Sequence, residues 1–243
     1  MPLMTGGKAV VESLKREGVE VIFGLPGVQI MSIFDAFYGE REIRLITVRH
    51  EQSAVYMADG YARIKGQPGV ALVVPGPGVQ NALAALGTAY ACSSPVLLLA
   101  GQVESKDLGG NLGALHEVND QLDMVRPVTK WCRRVMRTEE IPVAIHQAMT
   151  QMNTGRPRPT EVEIPWDTLR STAEVDFPPR ETPARPVPDR MNIQRAVELL
   201  IQAKKPFIWA GGGAILANAS PELRELAECL AVPVGTTAEG KGS

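Results

Sequence analysis

The chain has 243 residues, 44% of them hydrophobic and 21% charged, with a formal net charge of −2. That is room for one large domain or two smaller ones of ordinary globular composition, and the near-neutral balance gives no electrostatic case for nucleic acid or an anionic membrane. Cys92, Cys132 and Cys229 stand far apart, with no CxxC pair and no histidine at ligand spacing. This argues against a disulfide framework or a zinc site and for a reducing, cytoplasmic setting.

The N-terminal stretch MPLMTGGKAVVESLKREG breaks its apolar positions with charges, so neither a signal peptide nor a membrane span is expected. Thr5 is placed to cap a helix in which Ala9, Val10 and Leu14 share a face and which Gly18 ends. Val19 to Phe23 reads as a short strand, turned by GLPG at Gly24 to Gly27. Ile30, Ile33, Phe34 and Phe37 then recur at helical spacing. Ile43 to Val48 reads as a buried strand, followed by a helix from about Glu51 to Lys65. Gly69 to Val74 is a strand, Pro75 to Gly78 a turn, Val79 to Cys92 an alanine-rich helix and Pro95 to Gly101 another strand. After Gln102 the pattern loosens into a polar, glycine-bearing loop of a length that usually signals function or disorder. A helix returns near Ile141 to Met152, and Thr160 to Pro165 reads as a strand.

Continuous apolar strands separated by helices define an α/β fold: a doubly wound, mostly parallel sheet with helices on both faces. In such sheets the binding crevice lies beyond the carboxyl ends of the strands. Gly24 to Gly27, Glu51, Pro75-Gly76 and Gly101-Gln102 all follow strand ends, so separate stretches of chain converge on one rim. This first domain is expected over 1–169, and the proline-rich stretch 170–189 reads as a linker. Residues 190–243 hold a helix face at Ile193, Ala196, Val197 and Leu200, a strand and glycine turn at FIWAGGG, a helix from Leu223 to Leu230 and a strand at VPVGTT. Roughly 50 residues are too few for a self-sufficient doubly wound domain, so an incomplete second α/β domain is expected.

Neither GLPG nor AGGGAI completes GxGxxG, and no GxxxxGK[ST] occurs, so the nucleotide-binding fingerprints are missing. AGGGA reads as a tight strand-to-helix turn. The PGPG turn reads equally as a crowded turn or as a close backbone approach to a ligand. Glu51 has two readings as well. An acid in a first helical turn serves the helix macrodipole, worth about 0.3–1 kcal/mol. Such an acid is normally exposed, whereas Glu51 issues from an apolar strand onto the rim, where a carboxyl can give and take a proton.

Taken together, GLPG at Gly24, RHEQ…ADGYAR at Arg49 to Arg63, PGPGVQN at Pro75 to Asn81, SPVLLLAGQV at Ser94 to Val103, RPVTKW at Arg126 to Trp131 and TGRPRPTEVEIP at Thr154 to Pro165 resemble the thiamine-diphosphate enzymes of the acetolactate synthase type. The resemblance covers essentially the whole chain. It implies a flavodoxin-like pyrimidine-binding domain followed by the start of a central domain. By resemblance, Glu51 is the glutamate that hydrogen-bonds the cofactor's aminopyrimidine ring and promotes its imino tautomer, whose exocyclic nitrogen then deprotonates the thiazolium carbon. The ylide attacks a 2-keto acid, carbon dioxide leaves, and in synthase-like members the remaining carbanion attacks a second carbonyl. Pro26, Gly27, Pro75, Gly76, Gly78 and Asn81 match the loops that approach the pyrimidine. Leu115 and His116 stand where synthases commonly carry Phe-Gln, and Pro75 stands where Ser or Thr is usual; these departures bear on the acceptor substrate.

The family binds the cofactor diphosphate through Mg²⁺ on another domain, marked by Gly-Asp-Gly. That tripeptide is missing here, and no metal-ligand set is expected within this chain. The resemblance implies a homodimer or homotetramer with its active site between subunits. The chain alone is expected to be inactive, to bind thiamine diphosphate weakly or not at all, and to be a truncation. FAD in the central domain is compatible with AGGGA and undecided by it. A 2-hydroxyacyl-CoA lyase, a benzoylformate-type decarboxylase or a carboligase would share nearly every motif. A non-catalytic binding or assembly module could use the same scaffold.

Overall fold

A computed structural model describes residues 1–181 and 186–243. The chain divides into two units, Met1–Arg185 and Pro186–Ser243.

In chain order the first unit comprises β1 (Leu3–Thr5), α1 (Gly6–Arg16), β2 (Val21–Gly24), α2 (Met31–Ala36), β3 (Arg44–Thr47), α3 (Glu51–Lys65), β4 (Gly69–Val73), α4 (Pro77–Ala91), β5 (Val96–Gln102), α5 (Gln121–Val125), β6 (Trp131–Arg134), α6 (Ile141–Asn153), β7 (Thr160–Pro165), α7 (Trp166–Arg170) and β8 (Thr172–Glu174). Six strands form one all-parallel sheet in the order β3-β2-β4-β5-β7-β6. This is the expected α/β architecture with helices on both faces. Because side chains alternate along a strand, each central strand feeds two cores. Leu97 and Leu99 of β5 join a core with Ala9 and Leu14 of α1 and with Ile141 and Ile145 of α6. Leu98 and Ala100 face Ala54, Val55 and Ala58 of α3 and the alanines of α4. The small side chains of α3 and α4 let both helices lie close on the sheet.

Local chemistry accounts for the helix ends. The Thr5 hydroxyl accepts the Lys8 N–H at 3.3 Å and caps α1, as expected. In α3 the His50 Nδ1 accepts the Gln52 N–H at 3.1 Å, and Gly66, with φ 65°, closes the helix in the left-handed region that glycine tolerates.

Two expectations need correction. The run Ile43 to Val48 is not a fully buried strand: β3 is an edge strand whose Arg44 and Thr47 are exposed and whose Leu45 and Ile46 are half-buried. Only one neighbour, β2, pairs with it. The linker also starts later than residue 170. Thr172–Glu174 pairs antiparallel with Leu3–Thr5, and Val175 is fully buried in the core. The two ends of the first unit are thus stitched together by backbone hydrogen bonds. Of the expected 170–189 linker, residues 182–185 lie outside the described residues.

The second unit contains α8 (Arg190–Gln202), β9 (Ile208–Ala210), α9 (Gly212–Leu216), α10 (Ser220–Leu230) and β10 (Val234–Thr236). β9 and β10 pair in parallel, joined by a helical crossover. Asp189 caps α8 by accepting the Met191 N–H at 2.6 Å.

Candidate active site

Chain order reverses at β2: the next strand, β3, lies on one side of it and β4 on the other. In open parallel sheets, ligands bind outside the carboxyl ends of the strands at such a switch point. Here β2 runs into Leu25, Pro26 and Gly27, β3 into Val48 to Glu51, and β4 into Val74, Pro75 and Gly76. These three strand ends meet at the rim.

Glu51 is the first residue of α3 and is only 8% exposed. Its Oε2 accepts a hydrogen bond from Asn81 Nδ2 on α4 at 3.0 Å. The positive end of the α3 dipole favours negative charge at this position. Glu51 therefore combines what the two sequence readings kept apart: it sits in a first helical turn and is nevertheless buried.

The glycines beside it mark a close approach. A β-carbon at Gly27 would stand 2.2 Å from Val74 Cγ1, and one at Gly78 would stand 2.6 Å from Val74 Cγ2 and 3.6 Å from Glu51 Oε1. Val74 is thus the floor on which both turns rest. Gly76 has φ +54°, and a β-carbon there would come within 2.3 Å of the His116 carbonyl oxygen. Gly27, Gly78, Val74, Glu51 and Asn81 make one cradle, with Gly76 and the buried Pro75 on its flank.

The remaining expected residues are placed differently. Pro26 is exposed. Leu115 is 62% exposed, and its carbonyl accepts Gln29 Nε2 at 3.0 Å. His116 is half-buried with φ 70°, meets Gly76 through its backbone, and keeps its Nδ1 buried without a hydrogen-bond partner. A cleft of about 360 Å³ opens beside them, lined by Val28, Gln29, Val103, Glu104, Leu115 and Trp166 among others. Val74, Gln29 and Gln121 escaped the reading of the sequence. Val74 looks like any strand-end valine, and Gln121 falls in the stretch without periodicity.

Behind the rim, β7 carries two buried acids on one face, Glu161 and Glu163, both 0% exposed. Burial pushes the Glu163 carboxyl up, and the Arg134 guanidinium, ion-paired to it, opposes the shift. Burial pushes Glu161 well above the ordinary carboxylate range, and the neighbouring charge of Glu163 adds to it. Neither oxygen of Glu161 has a hydrogen-bond partner.

The family model for the thiamine pyrophosphate enzyme N-terminal TPP-binding domain matches residues 4–124, and the model for the central domain of the same enzymes matches residues 193–243. The chain belongs to the thiamine pyrophosphate enzyme family. It is 40% identical over 249 residues to the acetolactate synthase large subunit of Haemophilus influenzae, covering 100% of this chain and 43% of that protein. It is 39% identical over 241 residues to a probable 2-ketoarginine decarboxylase of Pseudomonas aeruginosa, covering 98% and 43%. A probable acetolactate synthase large subunit of Methanocaldococcus jannaschii is 38% identical over 248 residues, covering 98% and 41%. The chain spans less than half the length of these relatives.

Proposed function

We propose that this chain is the pyrimidine-binding part of a thiamine-diphosphate enzyme acting on 2-keto acids, with Glu51 as the acid that exchanges a proton with the cofactor's ring. One observation carries the reading: a buried carboxyl at the switch point, oriented by Asn81 and flanked by two glycines that leave no room for a β-carbon. The Gly27 and Gly78 backbones close directly onto Val74 next to Glu51, so main chain rather than side chains borders the carboxyl where a flat ring would approach it.

In this reading Gly27, Gly78 and Val74 hold the ring, with Pro26, Pro75 and Gly76 shaping the loops around it. Asn81 keeps Oε2 of Glu51 engaged, which leaves the carboxyl one orientation in which to hold or release a proton at Oε1. Burial excludes the water that would otherwise compete for that proton. When bound, thiamine diphosphate supplies the carbanion stabilisation that lets a 2-keto acid lose carbon dioxide. Leu115 and His116 stand towards the acceptor side.

The same proposal assigns the diphosphate and its Mg²⁺ to a domain that carries the Gly-Asp-Gly this chain lacks. The site is then completed by a second subunit of a homo-oligomer. The sparse, widely spaced cysteines support a cytoplasmic location. Titration calorimetry of this chain with thiamine diphosphate and Mg²⁺ is expected to show no micromolar binding. FAD is read directly from flavin absorbance of the purified full-length polypeptide.

Glu51→Gln in the full-length polypeptide is the central test. It is expected to lower turnover of 2-keto acids by about 10²-fold or more, the scale of a lost acid–base group. Unchanged turnover refutes the assignment. Decarboxylation alone, without carboligation, is a second reading. It is favoured by the departure at Leu115-His116 and by the relative named for 2-ketoarginine decarboxylation. Product analysis, aldehyde against 2-hydroxy-3-keto acid, separates the two.

A further inference from the structure

We infer that Gln121 is the positioning residue of the Pro75–Gly78 turn, and that a buried relay from β6 through β7 to Gln121 sets where that turn stands beside Glu51. Its importance for catalysis rests on the function proposed above; its geometry does not.

Gln121 is fully buried at the start of α5, far in sequence from the residues it holds. Its Oε1 accepts the Gly76 N–H at 2.8 Å. Its Nε2 donates to the Gly101 carbonyl at 3.0 Å and to Glu163 Oε2 at 2.7 Å. Three backbone or side-chain groups from the ends of β4, β5 and the middle of β7 therefore meet on one amide.

The orientation of that amide is forced. The Gly101 carbonyl can only accept a hydrogen bond, and the Gly76 N–H can only donate one. A flipped amide would set oxygen against oxygen at Gly101 and N–H against N–H at Gly76. Glu163 strengthens the choice, because its carboxylate is held by Arg134 and by Gln102 Nε2 at 3.3 Å. Arg134 also reaches Asp120 at 3.6 Å, and Asp120 caps α5 by accepting the Asp123 N–H. One arginine thus anchors both the acid that faces Gln121 and the helix end that carries it.

Gly76 needs such an anchor. Its backbone, with φ 54° and ψ −110°, is costly for most residues, and it is pressed against the His116 carbonyl. The turn has no side chain of its own at this point with which to hold its place. Two residues further on, Gly78 abuts Val74 and lies beside Glu51, and α4 then presents Asn81 to the acid. A shift at Gly76 is transmitted directly to the groups around the carboxyl.

Hydrogen exchange of the Gly76 amide in this chain gives a readout independent of activity. Gln121→Met, similar in volume but unable to bond, is expected to speed Gly76 exchange about 10-fold or more, the scale of one buried hydrogen bond, while Leu72 and Val73 amides in β4 stay protected. Gln121→Asn keeps the amide but is one methylene too short to span Gly76, Gly101 and Glu163 together, and a loss of the same kind is expected. In the full-length polypeptide, Gln121→Met is expected to raise the apparent KM for thiamine diphosphate about 10-fold.

A folded Gln121→Met chain with unchanged Gly76 exchange overturns the inference. So does unchanged Gly76 exchange in a folded Gln121→Asn chain, which also decides the matter should Gln121→Met not fold. Where the wild type turns over 2-keto acids but the KM for cofactor is unmoved, the link to the cofactor is refuted. A wild type without cofactor-dependent turnover refutes the proposed function instead, and Gly76 exchange still decides the role of Gln121.

Discussion

Replacing Glu161 by methionine is expected to stabilise the first unit, and the gain is expected to grow with pH. Glu161 lies in the middle of β7 with Leu98 of β5 and Cys132 of β6 in register on either side. It is 0% exposed, and neither carboxyl oxygen finds a hydrogen-bond partner. A buried polar group left unsatisfied costs about 1–3 kcal/mol, and methionine fills a similar volume without that cost. A charge adds to the penalty as pH rises. The carboxyl ordinarily titrates near 4.5, and burial together with Glu163 raises it well above that in the folded protein. Below the ordinary value both folded and unfolded chains hold the proton, and no charge is buried. Above it the unfolded chain releases the proton while the folded chain keeps it, so stability falls by about 1.4 kcal/mol per pH unit until the raised value is passed. Methionine removes that slope. Urea unfolding of this chain at pH 5, 6, 7 and 8 measures it: the stability difference between variant and wild type is expected to widen from pH 5 upwards. A variant less stable than wild type at pH 7, with the same pH slope, would show that Glu161 is satisfied in the fold and that this reasoning is wrong.

Three further outcomes follow from the same geometry. Gly27→Ala drives a methyl to within 2.2 Å of Val74 Cγ1 and is expected to cost about 1–3 kcal/mol in urea unfolding. Adding Val74→Ala makes room and is expected to recover part of that loss relative to Val74→Ala alone; no recovery would mean that Val74 is not the floor of the cradle. Gly76→Ala meets the His116 carbonyl with an unfavourable φ as well, so it is expected to destabilise by about 1–3 kcal/mol, and no single side-chain truncation is expected to rescue it. Arg134→Leu leaves Glu163 buried beside Glu161 without its cation, and a loss of roughly 3 kcal/mol is expected, read by thermal unfolding at pH 7. That loss is expected to shrink at acid pH, because both carboxyls are pushed upward by burial and take up protons readily.

The alternation of strand and helix was legible from the chain alone, since it is written in local signals. Apolar runs such as Val96 to Leu99 can only be buried, and Gly-Pro turns punctuate them. The α3 helix runs from Glu51 to Lys65, the span its pattern predicts, so the acid at its head was visible without a structure. Tertiary structure alone decided what surrounds that acid. Asn81 lies thirty positions away from Glu51, and Gln121 forty-five from Gly76. Such pairs leave no periodic trace, because a hydrogen bond between distant positions constrains one residue on each side and nothing in between. The same holds for β1 and β8, which meet only because the unit closes on itself. It holds for β6 too, whose Trp-Cys-Arg-Arg lacks an apolar run and becomes a strand by pairing with β7. The order of strands places β7 inside β6, and this sets Glu163 against Arg134 on one side and Gln121 above. Hydrophobic burial selected the elements; long-range hydrogen bonding and steric fit selected the site.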